Sequence, residues 1–268
     1  MVGLRHEEKT EVLRGLIFKT RNELKSGWPE EIYHQALLCM LQDEAIPVIS
    51  RPRRAFLHRG EEVHLFEPDL IVWDRIILEL KALPYQKEFL GEQYAQAIHY
   101  LKFWQKDLAL LVNFGPPKVK IQRVVWDEPP FELSEEYEEI KPHISEPDRV
   151  NLQRIRQCVI ALARQYGFGY PETLYRKLVA VELAHRQIDC VSDVGVVPVW
   201  TGQGLPRHTT HHLQVADHYL VHIRSLSAQP TTHDFLATRT YLRCLGLKFG
   251  LIVNFGAKEL QIHGISSE

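Results

Sequence analysis

The sequence predicts an α/β protein built as two tandem units, each a mixed β-sheet flanked by helices. Two observations carry this: an internal repeat, and the same order of helical and strand periodicities in both copies. The segment GWPEEIYHQAL from Gly27 recurs as GYPETLYRKLV from Gly169, with Gly27/Gly169, Pro29/Pro171, Glu30/Glu172 and Tyr33/Tyr175 all separated by 142 residues. EPDLIVWDRIILELKAL from Glu67 aligns without a gap to THHLQVADHYLVHIRSL from Thr210, and YLKFWQKDLALLVNFG from Tyr100 matches YLRCLGLKFGLIVNFG from Tyr241. The expected organisation is a first unit over 1–126, an acidic, proline-containing linker over 127–147, and a second unit over 148–268.

The elements of the first copy follow in order. Apolar residues at helical spacing predict a helix over about residues 7–25 and another from Pro29 to about Gln42, where proline suits a first helical turn. Alternating and β-branched runs predict strands at Ile46–Leu57, Val63–Phe66, Leu70–Trp73 and Ile76–Leu83, with turns at Arg59-Gly60 and Asp74-Arg75. A helix over about Glu88–Trp104, a buried strand Ala109–Phe114 and an alternating strand Lys118–Trp126 complete the unit.

Composition sets the bounds. Of 268 residues 45% are hydrophobic and 25% charged, enough for two modest cores, and no apolar run reaches the ~20 residues of a membrane span. The four cysteines form no C-x-x-C pair and the start is charged throughout, so a cytoplasmic location is expected. The net charge of −2 conceals an asymmetry: residues 151–268 carry 12 Lys+Arg against 8 Asp+Glu, and residues 1–150 carry 20 against 26.

The chemistry concentrates in the first copy. Pro68-Asp69 precedes one strand, and Glu79 and Lys81 lie two apart on the next, hence on one face, with Leu80 turned to the core. Hairpin pairing brings Asp69 beside Glu79, and two adjacent carboxylates repel unless a cation neutralises them. A buried Glu and Lys on so apolar a strand also require partners. Mg²⁺ or Mn²⁺ suits oxygen ligands of this kind, and a bound divalent ion activates water and stabilises charge on phosphoryl oxygens. Arg51, Arg53 and Arg54 could track a phosphate backbone, or could form a solvated strand edge.

Pro68-Asp69…Glu79-Leu80-Lys81 resembles the P-D…(D/E)-x-K signature of the restriction-endonuclease-like nucleases, and Gly27–Tyr33 resembles the G-x-x-E-x-x-Y mark of the GxxExxY family within that superfamily. Gln96 and Asn113-Phe114-Gly115 fit the same pattern. The resemblance implies two restriction-endonuclease-like domains and a nuclease acting on DNA. It implies Asp69, Glu79 and the Leu80 carbonyl as metal ligands, Glu30 as a helix acid near the metal, Lys81 as base or electrostatic aid, and Gln96 as a supporting group. RNA cleavage, and a non-catalytic nucleic-acid-binding or assembly scaffold, are the competing readings.

In the second copy His212, His222, Arg224 and Ala237 stand where Asp69, Glu79, Lys81 and Gln96 stand in the first, and only Glu172 survives of the acids. Imidazoles are poor Mg²⁺ ligands and Arg is no base at neutral pH, so hydrolysis there is not expected. Three roles are open: a pseudo-dimer partner bracing the first copy, a nucleic-acid clamp using Arg207, His208, His211, His212 and Arg224, or a transition-metal site of His208, His211, His212 and His222.

Overall fold

A computed structural model describes residues 5–225 and 228–268. These divide into two compact units: the described residues within 1–56 and 64–127, and those within 57–63 and 128–268. In chain order α1 (Glu7–Leu24) and α2 (Glu30–Asp43) precede β1 (Val48–Ser50), β2 (Arg54–His58), β3 (Glu61–Phe66), β4 (Leu70–Val72) and β5 (Ile76–Lys81), all in the first unit except residues 57–63 of the β2–β3 ribbon. Then come α3 (Gly91–Trp104), β6 (Leu108–Asn113) and β7 (Lys120–Val124). The sheet order is β1-β4-β5-β6-β7, antiparallel except for the parallel β5–β6 pair, and β2 and β3 form a separate ribbon.

The second unit contains β8 (Leu133–Glu136), α4 (Glu146–Tyr166), α5 (Glu172–His185), β9 (Cys190–Ser192), β10 (Gly195–Val196), β11 (Val199–Trp200), β12 (Gln203–Gly204) and β13 (His208–Thr209). It ends with β14 (Leu213–Val215), β15 (Tyr219–Ser225), α6 (Thr232–Leu245), β16 (Phe249–Phe255) and β17 (Leu260–Ser266). Its main sheet runs β8-β17-β16-β15-β14-β9, which reproduces the first sheet strand for strand and adds β8 at one edge. The tandem α/β expectation is met, each copy being a mixed sheet between helices.

The period-two alternation of β5 explains the layers. Ile76, Leu78 and Leu80 enter the core shared with Leu13, Ile17, Tyr33 and Leu37 of α1 and α2. Ile77 enters the opposite core with Ala97 and Leu101 of α3, so Glu79 and Lys81 belong to the α3 face. At about 25 cal/mol per Å² of apolar surface, these two cores supply the main drive for folding.

Three expectations need correction. Residues 127–147 are no linker: β8 pairs in parallel with β17, and Ile140 is buried over Gly264, where a Cβ would lie 2.6 Å from the Ile140 side chain. The single strand expected over Ile46–Leu57 is broken into β1 and β2, with Arg51 in the left-handed region at φ 45°. The β4–β5 turn spans Trp73, Asp74 and Arg75, beginning one residue before the expected Asp74-Arg75, because Val72 pairs with Ile76 and three residues close the hairpin, with Trp73 and Asp74 at φ 51° and 54°. The Arg59-Gly60 turn forms as expected, both residues having positive φ, as a two-residue type I′ connection demands.

Candidate active site

The motif at the start of α2 serves two purposes. Gly27 adopts φ 105° and Gly169 φ 90°, a backbone region where a side chain would be strained. Tyr33 stacks on Phe114, with centroids 4.6 Å apart, and its hydroxyl donates to the Lys25 carbonyl at the end of α1. Tyr175 does the same with Phe255, at 3.9 Å, and with the Gly167 carbonyl. The Gly and Tyr of the motif, with the Phe of Asn-Phe-Gly, are therefore a structural clamp present in both copies. Asn113 adds to it in the first copy: its side-chain oxygen accepts from the N–H of Leu83 and of Gly115, fixing the chain leaving β5. Glu30 remains for the site.

Leu70 pairs with Leu78, so the same register carried one residue further sets Asp69 opposite Glu79. The Asp69 carbonyl accepts the Arg51 N–H on the β1 side, and the Asp69 carboxylate accepts the Leu80 N–H at 2.7 Å. Asp69 and Glu79 thus form a non-hydrogen-bonded pair, the arrangement that brings opposed side chains closest. The N–H and C=O of one strand residue share an edge, so the Leu80 carbonyl also faces the Asp69 side. His34, buried on α2, holds the Asp69 carbonyl at 3.3 Å through Nε2.

Glu79 is 3% exposed. Its Oε1 accepts from Lys81 Nζ at 2.7 Å, and its Oε2 is buried without a hydrogen-bond partner. Burial first, and then the Asp69 charge, push the Glu79 carboxyl up to about 7. Burial also raises Glu30, which feels Lys81 and Asp69 in opposite senses. Burial alone would lower Lys81, but the charges of Glu79, Glu30 and Asp69 outweigh it and hold the ammonium above its ordinary value. Glu30, Asp69, Glu79 and Lys81 are therefore one electrostatic unit.

Gln96 acts on this unit through a neighbour. Its Nε2 donates to the Tyr100 hydroxyl at 3.2 Å, which in turn donates to the Glu67 carbonyl at 3.0 Å, just before Pro68-Asp69. Burial, then the Glu79 charge, raise Tyr100 to about 12, so it stays a donor. Sequence reasoning missed Tyr100 and His34 as site residues. The recurrence of Tyr100 as Tyr241 was a usable signal, whereas His34 had none, because Arg176 occupies its place in the other copy.

An orphaned carboxylate oxygen beside a second carboxylate fits a hard divalent cation, and the Leu80 carbonyl would be a third oxygen donor. Among the described residues no three His, Cys, Asp or Glu side chains converge as a metal cage, and Glu30 is near enough to Lys81 and Asp69 to feel the charge of both.

The basic residues expected to meet nucleic acid are mostly engaged. Arg51 pairs with Glu31, Arg53 with Glu67 at 2.6 Å, and Arg54 donates to the Phe103 carbonyl while lying over the Phe103 and Trp104 rings. In the second unit Leu213 pairs with Val221, so His212 opposes His222 in the register of Asp69 and Glu79. The imidazoles lie 4.2 Å apart, and burial depresses them to about 3 and about 4, so they are neutral near pH 7. Arg224 is bonded to Glu172 at 2.9 Å and lies 3.2 Å from Asp234. His212 and Arg224 are thus a buried neutral ring and a paired cation, which suits neither to a phosphate clamp. Arg207 is exposed and lies against Gly195.

The family model of the PD-(D/E)XK nuclease superfamily matches residues 7–124 and 150–265, one match per copy. The solved structure described as "Crystal structure of SSO0001" is 17% identical, with a TM-score of 0.29, over 45% of this chain and 60% of that one. No curated protein sequence matches. Among the described residues no helix is long and apolar enough to cross a membrane.

Proposed function

Because the chain belongs to the PD-(D/E)XK nuclease superfamily across residues 7–124 and 150–265, we propose that its first unit hydrolyses phosphodiester bonds of nucleic acid, DNA by family analogy, with Mg²⁺ or Mn²⁺. Within that superfamily the Gly27–Tyr33 segment supports placement in the GxxExxY family. The observation that carries the reading is the Asp69–Glu79 pair, two opposed carboxylates of which one keeps a buried oxygen without a partner.

Asp69, Glu79 and the Leu80 carbonyl would hold the cation, which supplies an activated water and charge stabilisation at the phosphate when bound. The chain's own groups do the rest. The Leu80 N–H orients the Asp69 carboxylate, and His34 and Tyr100 pin the backbone on either side of Pro68-Asp69. Lys81, kept protonated by three acids, stabilises negative charge growing on the phosphoryl oxygens rather than serving as the base. The second unit, with imidazoles in place of the carboxylates, contributes binding or bracing without hydrolysis.

The test is cleavage of single- and double-stranded DNA and RNA by wild type, Asp69→Ala and Lys81→Ala, with and without Mn²⁺. Asp69→Ala is expected to abolish cleavage, and Lys81→Ala to slow it by about 10²-fold or more. Equal activity in variant and wild type refutes the site. Inactivity of the wild type on every substrate points to a scaffold.

A further inference from the structure

In the second unit Glu172, His212, His222, Arg224, Asp234 and Tyr241 border a cleft of about 520 Å³. His212 is 5% exposed, and neither of its ring nitrogens has a hydrogen-bond partner. A buried imidazole left wholly unsatisfied is costly and requires an explanation such as a bound ion.

His222 has a defined tautomer. The Thr238 hydroxyl donates its one proton to the Asp234 carbonyl at 2.8 Å, so toward His222 Nδ1, at 3.1 Å, it can only accept. Nδ1 therefore carries the proton, and Nε2 keeps its lone pair. A ring fixed by an N–H donated to a neighbouring oxygen is the usual arrangement behind a metal-binding histidine.

Charge decides what the cleft accepts. Arg224 is held by Glu172 and Asp234, and Arg176 by Asp193, so the arginines beside the two neutral rings are already paired with carboxylates. That favours a cation over a phosphate. Nitrogen ligands select a transition metal over Mg²⁺.

We propose that this cleft binds a divalent transition-metal cation of the zinc type through His212 and His222. The two rings are neighbours, with centroids 4.2 Å apart and planes tilted by 34°, and an ion of this type takes imidazole nitrogens at about 2 Å. Among the described residues no third His, Cys, Asp or Glu side chain joins them, so water fills the remaining positions and the site stays open. The inference stands whether or not the first unit cuts nucleic acid.

The test uses the full chain, free of any affinity tag, titrated calorimetrically with ZnCl₂, and with Co²⁺ followed by visible absorption. About one equivalent is expected to bind, and to be retained in Asp69→Ala, which separates this site from the first. His212→Ala and His222→Ala are expected to weaken binding by at least about tenfold. Thr238→Val, which leaves both rings in place, is expected to weaken it by about tenfold. Circular dichroism checks folding; should a histidine variant misfold, Thr238→Val and the wild-type cobalt spectrum decide. Absence of zinc uptake by the folded wild type, binding indifferent to all three variants, or a cobalt–thiolate band indicating cysteine ligation each overturns the proposal.

Discussion

Lys81 donates to one oxygen of Glu79 at 2.7 Å, while the other oxygen is buried and has no partner. The ion pair half-satisfies the carboxylate and leaves it raised to about 7. The folded state then binds more protons than the unfolded state, so stability falls as pH rises. Without divalent metal, stability of the first unit is expected to decline from about pH 4.5 to 7, by up to about 3 kcal/mol. Urea denaturation across that range should show the decline in wild type and a flatter profile in Glu79→Gln. Identical profiles would contradict the assignment.

Glu182 has the opposite sign. Burial would raise it, but hydrogen bonds from Arg59 and Arg186, at 3.0 and 2.9 Å, pull it down to about 2. Its stabilisation is complete above the unfolded carboxyl value and is lost as pH falls from about 4.5 toward 2. Glu182→Gln is expected to cost the second unit about 2 kcal/mol at pH 7 and less at pH 3. A cost independent of pH would rule out the ionic account.

The Tyr33–Phe114 clamp predicts a graded response. Tyr33→Phe keeps the stack and loses the hydrogen bond to Lys25, for about 1 kcal/mol. Tyr33→Ala empties a fully buried site and is expected to cost about 3–5 kcal/mol. Tyr175→Phe and Tyr175→Ala should repeat the pattern in the second unit, read by denaturant unfolding.

Gly115→Ala tests the Asn-Phe-Gly segment. A Cβ there would lie 2.4 Å from the Leu83 carbonyl carbon, and backbone does not swing aside as a side chain does. A loss of at least about 2 kcal/mol is expected. An unchanged melting temperature would mean that the segment can separate from the chain after β5.

Much of the first site is legible in the sequence. Period two placed Glu79 and Lys81 on one face, and a short hairpin brought Asp69 opposite Glu79, because strand geometry converts spacing into position. The β8 strand was not legible: Leu133-Ser134-Glu135-Glu136 shows no apolar alternation, and only pairing with β17 makes it a strand. The partners of Arg51, Arg53 and Arg54 were equally hidden, since Glu31, Glu67 and Phe103 meet them only through the folded chain and not through local spacing.

By itself, then, the sequence determined the duplication, the order of elements and the exchange of Asp69 and Glu79 for His212 and His222, all local or periodic properties. Only the tertiary structure decided the state of those side chains: an orphaned oxygen on Glu79, a paired Arg224, and imidazoles kept neutral by burial. Desolvation and hydrogen-bond satisfaction depend on what the rest of the fold packs around a group, and no spacing along the chain encodes that.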